Sequence, residues 1–75
     1  MEQESFANRL SKALLIRNMK PIDLSKKSGI NKATISEYLK GKYEAKQTNM
    51  YLLAKALNIN EAWLMGFDTN IDRIS

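Results

Sequence analysis

The sequence predicts an all-α fold, a compact bundle of five helices. Apolar residues recur at three- and four-residue spacing, which is the period of a helix that buries one face. Residues that favour helix starts, such as Ser5, Asn31 and Asn60, precede several of these stretches, and glycines or asparagines follow them. The short connections between them indicate packed helices rather than crossover units between parallel strands.

Bulk composition limits the chain to one domain with a modest core, because it has 75 residues, of which 44% are hydrophobic and 27% charged. It contains no cysteine, so the sequence offers neither disulfides nor thiolate ligands. No apolar run approaches the ~18 residues that span a membrane, and the acidic first residues lack the apolar centre of a signal peptide. We therefore expect a cytoplasmic protein.

The first helix is predicted to begin after Ser5, an N-cap residue, with Glu2 and Glu4 near its positive end. The residues predicted to form its apolar stripe are Phe6, Leu10, Ala13 and Leu14. The basic residues predicted to lie mostly outside are Arg9, Lys12 and Arg17. Asn18 favours the left-handed conformation that ends a helix, and Met19 should then pack as the chain turns.

Residues 20–42 predict two short helices joined by a tight turn. Pro21 can open the first helix, because its missing N–H would be unpaired in the first turn in any case. Gly29 can end it in the left-handed conformation. Asn31 is a suitable N-cap for the second helix, which Gly41 ends. The residues predicted to face inward are Leu24, Ser25, Ser28, Ile30, Ile35, Tyr38 and Leu39. Two helices in this arrangement are a helix-turn-helix, formed by helices 2 and 3 of the bundle.

The rest of the chain predicts two more helices and a tail. The fourth helix should run from about Thr48 to Leu57, and its inward residues should be Met50, Leu53, Ala54 and Leu57. Asn60 can cap a short fifth helix over residues 61–65. The residues predicted to turn or pack around these two helices are Asn58, Ile59 and Gly66. We assign residues 1–67 to one helix-turn-helix domain and 68–75 to a tail, or to the start of a linker to a further C-terminal domain.

The central segment is similar, without a gap, to the DNA-binding element of the phage-repressor/Cro family, the XRE-type helix-turn-helix domains. The residues that carry the resemblance are Leu24-Ser25, Gly29, Thr34-Ile35-Ser36 and Gly41-Lys42. Two positions depart from the family pattern. Pro21 stands where the family often has a phosphate-binding glutamine, so no contact is carried over to it, and Ser25 replaces a small apolar residue. The resemblance covers roughly residues 5–66 and implies a five-helix DNA-binding domain of a transcription regulator.

The excess positive charge of the chain, +4, lies on the predicted helix-turn-helix and the loop after it. Seven basic and three acidic residues lie between Lys20 and Lys46, whereas five of each lie in the rest of the chain. A solvated surface is the ordinary explanation for a basic patch. Its coincidence with the motif instead favours nucleic-acid binding.

The helix over residues 31–40 is predicted to enter the major groove of double-stranded DNA, where all four base pairs can be distinguished. By the resemblance, the base-reading candidates are Lys32, Ala33 and Ser36. Lys32 is suited to guanine, Ala33 to a thymine methyl group, and the Ser36 hydroxyl to either base of a pair. Glu37 could accept from cytosine N4, although an outward glutamate is more often plain surface. The phosphate-binding candidates are Asn31, Lys40, Lys42, Tyr43, Lys26 and Lys27. For Tyr43, the alternative is that it covers the edge of the core.

The apolar run from Trp63 to Phe67 has two interpretations. Part of it can close the core, and the rest can form an exposed patch that binds a partner. The candidate dimer or partner contacts are Trp63, Leu64, Met65 and Phe67. Some relatives pair two domains through the fifth helix, so the resemblance implies a homodimer on a palindromic or repeated operator.

The sequence gives no support for catalysis, because it lacks histidine and cysteine and has no carboxylates at metal-ligand or acid–base spacing. We expect no enzyme, no cofactor, no metal and no small-molecule substrate. The function predicted is a sequence-specific DNA-binding transcriptional regulator, a repressor of phage or prophage type. One alternative is a protein-interaction module of antitoxin or regulatory type that uses the basic face or the Trp63–Phe67 patch. An RNA-binding domain is disfavoured, because the outward face of the third helix has no aromatic side chain for stacking.

Overall fold

The computed structural model describes residues 4–73 and folds them into five α-helices around one core. The helices are α1 (Phe6–Ile16), α2 (Pro21–Ser28), α3 (Lys32–Leu39), α4 (Gln47–Leu57) and α5 (Glu61–Met65). The predicted all-α class and the order of the helices are confirmed. Helix α4 begins one residue before the predicted start. None of the helices in this part of the chain is long and apolar enough to cross a membrane.

The predicted helix caps are present. Ser5 Oγ accepts from the Asn8 N–H at 3.2 Å, Asn31 Oδ1 accepts from the Ala33 N–H at 2.7 Å, and Asn60 Oδ1 accepts from the Ala62 N–H at 2.7 Å. The residues in the left-handed conformation are Asn18, Gly29, Gly41, Asn58 and Gly66. Each follows a helix, so the local chemistry of the sequence defines the ends of all five helices and the starts of α1, α3 and α5.

The core is formed by one narrow apolar stripe from each helix. Helix α1 packs against α3 and α5, α2 against α3 and α4, and α4 against α5. The buried apolar residues are Phe6, Leu10, Ala13, Leu14, Leu24, Ile30, Ile35, Tyr38, Met50, Leu53, Ala54, Leu57, Ile59 and Leu64. Leu39 and Met19 are partly buried against them. Because α2 and α3 contribute few of these residues, most of their surface remains exposed.

The turn between α2 and α3 satisfies its own buried polar groups. Ser25 Oγ donates to the Ile30 carbonyl oxygen at 2.6 Å, and Ser28 Oγ accepts from the Ile30 N–H at 3.1 Å. The side chain of Ile30 is buried beneath this turn. The serine at position 25 is therefore a hydrogen-bonding partner of the turn and not an unpaired polar group in the core.

The prediction that Arg9 lies outside the core is wrong. This residue is only 8% exposed. Its Nε donates to Glu4 Oε1 at 2.8 Å, and its Nη1 donates to the Trp63 carbonyl oxygen at 2.9 Å. A planar guanidinium with several donors can be buried when each finds an acceptor, and helical periodicity contains no information about those partners. Lys12 is exposed as predicted and also pairs with Glu4. Glu2 lies outside the described residues.

Arg17 is half-buried and links the end of α1 to the end of α4. Its Nε donates to the Leu57 carbonyl oxygen at 2.8 Å, and its Nη2 donates to the Asn58 carbonyl oxygen at 2.9 Å. The last carbonyl groups of a helix have no partner within the helix. Arg17 therefore caps α4 from a different element.

Residues 71–73 return to the domain. Ile59 and Asp72 form an isolated antiparallel bridge, and the Asn60 N–H donates to the Ile71 carbonyl oxygen at 2.7 Å. Arg73 Nη1 also donates to the Ile59 carbonyl oxygen, at 3.4 Å. The domain boundary at residue 67 stays a prediction, but the chain after it remains attached to the domain through residue 73.

Candidate nucleic-acid interface

Helix α3 presents a short polar face to solvent. Ile35 and Tyr38 point into the core, and Lys32 and Ala33 in the first turn are exposed. Ser36, one turn further along, is half-buried. Since residues three and four apart share a helix face, Lys32, Ala33 and Ser36 lie together, as the predicted base-reading set requires.

Exposed lysines lie on α2, on α3 and in the segments that flank these two helices. All seven basic residues between positions 20 and 46 are exposed: Lys20, Lys26, Lys27, Lys32, Lys40, Lys42 and Lys46. Lys26 and Lys27 lie in the last turn of α2, where positive charge is favourable, and Lys40 is the C-cap of α3. The positive charge therefore lies at both ends of the exposed face of α3.

Asn31 has only part of its side chain free for a ligand. Its Oδ1 caps α3 by accepting from Ala33, so only the Nδ2 group can donate to a phosphate. The predicted phosphate contact is compatible with this cap, because donor and acceptor are different atoms of one amide.

Three of the predicted DNA contacts bind one another. Glu37 Oε1 accepts from the Tyr43 hydroxyl at 2.8 Å, and Glu37 Oε2 accepts from Lys42 Nζ at 3.3 Å. We call these three residues the Glu37 cluster. Both carboxylate oxygens of Glu37 are thus engaged within the protein.

The hydrogen bonds of the Glu37 cluster also change its acidities. The Tyr43 hydroxyl, and then the Lys42 ammonium group, lower the pKa of Glu37, so its carboxylate is ionised at neutral pH. The same carboxylate raises the pKa of the Tyr43 phenol above its ordinary value. Tyr43 therefore remains a neutral hydrogen-bond donor at neutral pH.

Tyr43 is positioned by the core. Its ring meets that of Tyr38 edge-on at 5.6 Å, and Tyr38 meets Phe6 edge-on at 5.5 Å. Tyr43 itself remains exposed, with its hydroxyl directed to Glu37. Covering the core edge and presenting a hydroxyl are thus both properties of this one side chain.

A depression between α3 and the start of α4 is lined by a basic residue that is not among the predicted DNA contacts. Lys46, the N-cap residue of α4, lines it together with Thr34 and Tyr43, and its volume is about 440 Å³. Asn49 Nδ2 donates to the Tyr38 hydroxyl at 2.9 Å in its wall. The sequence signal for Lys46 as a further phosphate-binding candidate is its place at the end of the basic cluster between positions 20 and 46.

The structure divides the Trp63–Phe67 run. Leu64 is fully buried, so it belongs to the core and offers no surface to a partner. Trp63 is half-buried, and the Arg9 guanidinium lies 4.5 Å from its ring centre. Met65 and Phe67 are 40% and 48% exposed and line a groove of about 550 Å³. Met65 and Phe67 are therefore the exposed members of the predicted partner contact, and Trp63, with part of its surface accessible, stays a predicted contact beside them.

Within residues 4–73, no group of three acidic, histidine or cysteine side chains is arranged to hold a metal ion. All buried side-chain polar atoms in that range have hydrogen-bond partners.

The model of the helix-turn-helix family matches residues 10–64, which include both helices of the motif, all of α4 and most of α1 and α5. The chain belongs to the XRE-type helix-turn-helix family. The resemblance inferred from residues 20–42 is thereby confirmed, and members of this family are DNA-binding domains of transcription regulators.

Two solved structures share the fold of this helix-turn-helix protein. The restriction-modification controller protein C.AhdI from Aeromonas hydrophila is similar with a TM-score of 0.74 and 24% identity, over 79% of this chain and 89% of that one. A transcriptional regulator from Listeria innocua is similar with a TM-score of 0.74 and 18% identity, over 93% of this chain and 65% of that one. The match thus spans about two thirds of the Listeria regulator. No curated protein matches the chain by sequence.

Proposed function

We propose that this protein is a sequence-specific transcriptional regulator of the repressor type, which reads the major groove of double-stranded DNA with α3. The observation that carries the proposal is the outward face of α3, on which Lys32 and Ala33 are exposed and Ser36 is half-buried, with exposed lysines at both of its ends. A helix fits the major groove, whose base edges differ among all four base pairs. Helix α3 is short, so its base contacts are confined to a few pairs.

The proposed division of labour follows from position along α3. Lys32 lies in the first turn and is suited to guanine O6 and N7, with Ala33 beside it suited to a thymine methyl group. Lys40 and Lys42 lie at the other end, where cations set the register on the phosphates without reading sequence. Lys26 and Lys27 are proposed to add phosphate contacts from α2.

The test is the salt dependence of binding to duplex DNA. Each neutralised phosphate contributes about −0.9 to the slope of log K against log salt. A bound pair of domains that contacts about six to ten phosphates should lose ~10³–10⁵ in affinity between 50 and 200 mM salt. A titration on selected and scrambled duplexes measures this slope. A flat titration on every duplex would refute DNA binding.

We further propose that two copies occupy one operator as a symmetric pair. One helix of this length reads few base pairs, so specificity requires two half-sites about 34 Å apart, one turn of the duplex. Met65 and Phe67 supply exposed apolar surface for the contact between copies. Because that surface is small, the 75-residue chain should sediment mainly as a monomer without DNA. Selected operators without a two-fold repeat would contradict the symmetric arrangement.

The exposed Met65–Phe67 pair also favours a second candidate function, binding of a polypeptide partner. The two functions differ in their response to salt. Retention on duplex DNA or heparin should fall steeply with salt, whereas an apolar contact with a polypeptide should be nearly independent of it.

A further inference from the structure

The Glu37 cluster places an anion among the cations that are proposed to hold DNA. Carboxylates and phosphates accept hydrogen bonds from the same donors, so the two compete for Lys42 and Tyr43. We propose that Glu37 acts as an internal substitute for a DNA phosphate: it occupies Lys42 and Tyr43 in the free protein and must release them when DNA binds. This inference rests on the proposed function and adds a determinant of specificity to it.

The backbone and the core hold the cluster together. Gly41 turns the chain in the left-handed conformation, and the Lys42 N–H then donates to the Glu37 carbonyl oxygen at 3.2 Å. The loop therefore returns over the end of α3. The edge-on contact with Tyr38 fixes the ring of Tyr43, which directs its hydroxyl to the carboxylate. The fold thus places both groups that donate to Glu37, the Lys42 ammonium group and the Tyr43 hydroxyl.

Release of these donors leaves an ionised carboxylate on the face that meets DNA. An unpaired carboxylate near phosphates is unfavourable because like charges repel. Cytosine N4 in the major groove is a donor that Glu37 can accept from. A DNA site with a cytosine at this position gives Glu37 a new donor in place of Lys42 and Tyr43. A DNA site without that cytosine leaves the carboxylate without a donor. Glu37 therefore disfavours random DNA more than it disfavours a matching site, which is specificity through rejection of the wrong partner.

The first experiment tests the cluster without DNA. Ultraviolet titration of the tyrosines in the wild type and in Tyr43→Phe isolates the curve of the Tyr43 phenol. The titration curve of Glu37→Gln minus that of the double variant Glu37→Gln/Tyr43→Phe gives the curve of the Tyr43 phenol without the carboxylate. Its midpoint should be lower than in the wild type, nearer the usual tyrosine value of about 10. Glu37→Asp should shift it in the same direction, because the shorter side chain keeps the charge but moves it away from Tyr43. An unchanged midpoint in both variants would refute the cluster.

The second experiment uses random-sequence duplex and a matched control. Glu37→Gln and Glu44→Gln each remove one negative charge from the same region, but no hydrogen bond or ion pair of the Glu44 side chain is found within the described part of the chain. Glu37→Gln should bind random duplex about threefold to tenfold more tightly than Glu44→Gln, since a neutral amide with one acceptor oxygen also holds Lys42 and Tyr43 less strongly than the carboxylate does. It should also lower the ratio of cognate to random affinity.

The outcomes separate the two proposals. Equal affinities of the two glutamine variants would show an effect of net charge alone and would overturn the inference. Absence of salt-dependent binding to any duplex by the wild type would refute the proposed function, and the tyrosine titration would still decide whether the cluster forms. Circular dichroism melts of each variant establish that the domain remains folded.

Discussion

The guanidinium of Arg9 lies 4.5 Å from the centre of the Trp63 ring and also donates a hydrogen bond to the carbonyl oxygen of the same residue, at 2.9 Å. One side chain of α1 thus holds both the ring and the backbone of α5. Glu4 completes the arrangement by pairing with Arg9 from the segment before α1. This contact connects the N-terminal segment and the last helix of the bundle.

Replacing Arg9 should destabilise the fold. Arg9→Ala removes the cation–π contact and two partly buried hydrogen bonds, and it leaves the Trp63 carbonyl group without this donor. We expect a loss of about 2–3 kcal/mol in the free energy of unfolding, measured by urea denaturation. The control is Lys12→Ala, which removes the second cation that pairs with Glu4. The Lys12 side chain is 54% exposed, so its loss should matter less. It should cost less than about 1 kcal/mol. Equal losses would contradict the role assigned to Arg9.

Alanine substitutions at two glycines should differ strongly, although both glycines have positive φ. At Gly29 a Cβ would meet no atom within 4 Å, so the cost is that of the left-handed conformation, about 1–2 kcal/mol. At Gly66 a Cβ would overlap the carbonyl oxygen of Glu4, so the N-terminal segment would have to move.

Gly66→Ala should therefore cost at least about 1 kcal/mol more than Gly29→Ala in urea denaturation. It should also weaken the contact between Glu4 and Arg9. Similar losses in the two variants would show that backbone conformation alone determines the requirement for glycine at position 66.

Acid should weaken the contact made by Glu4. The hydrogen bond from Lys12 is the main cause that lowers the pKa of Glu4 below its ordinary value of 4.5, with the hydrogen bond from Arg9 adding to it. A carboxylate with a lowered folded-state pKa stabilises the protein above its unfolded-state pKa, and this stabilisation is lost as the pH falls through the folded-state value.

Glu4→Gln should thus be less stable than the wild type at pH 7, and the difference should vanish at a pH well below 4.5. Urea midpoints measured across this range test the expectation. A difference that persists unchanged into acid would mean that packing, and not charge, accounts for the effect of Glu4.

Two lysines should separate base reading from phosphate binding, if the proposed function holds. Lys32→Ala should cost ~1–3 kcal/mol on the cognate site and relax the preference at one base pair per half-site. Lys42→Ala should weaken cognate and random duplexes alike and reduce the salt slope by about one unit per domain.

Both lysines are exposed, so neither change should alter the melting temperature appreciably. The measurement is a set of binding isotherms on cognate and scrambled duplexes at two salt concentrations. A cognate-to-scrambled ratio that Lys32→Ala leaves unchanged would place base reading elsewhere than Lys32.

The sequence predicted the parts of the candidate site that depend on local structure. Asn31 caps α3 and Gly41 ends it, because both act through conformations and hydrogen bonds within a few residues. With Ile35 and Tyr38 buried, the helical period then leaves Lys32 and Ala33 outside. The contacts of these side chains with DNA stay a prediction.

The periodic pattern could not predict which polar side chains find partners far along the chain. Helical period predicts Arg9 at the surface, because it carries no information about an acceptor such as the Trp63 carbonyl oxygen, 54 positions away along the chain. The apolar run leaves Leu64 open between the core and a partner contact, since it does not show which residue faces a neighbouring helix; the structure buries Leu64 fully. For Arg9 the deciding contact joins α1 to Trp63 of α5, and for Leu64 it joins α5 to the core.

For this chain, the sequence by itself determined the five helices, the turns that end them and the outward face of α3, because left-handed turns and helical period are properties of neighbouring residues. Only the tertiary structure decided what the charged side chains do. Arg9 is buried because α5 brings an aromatic ring and a carbonyl group to it, and Glu37 is engaged because the loop after Gly41 returns Lys42 and Tyr43 to its carboxylate. Charges interact through space, so their partners are set by packing and not by spacing along the chain.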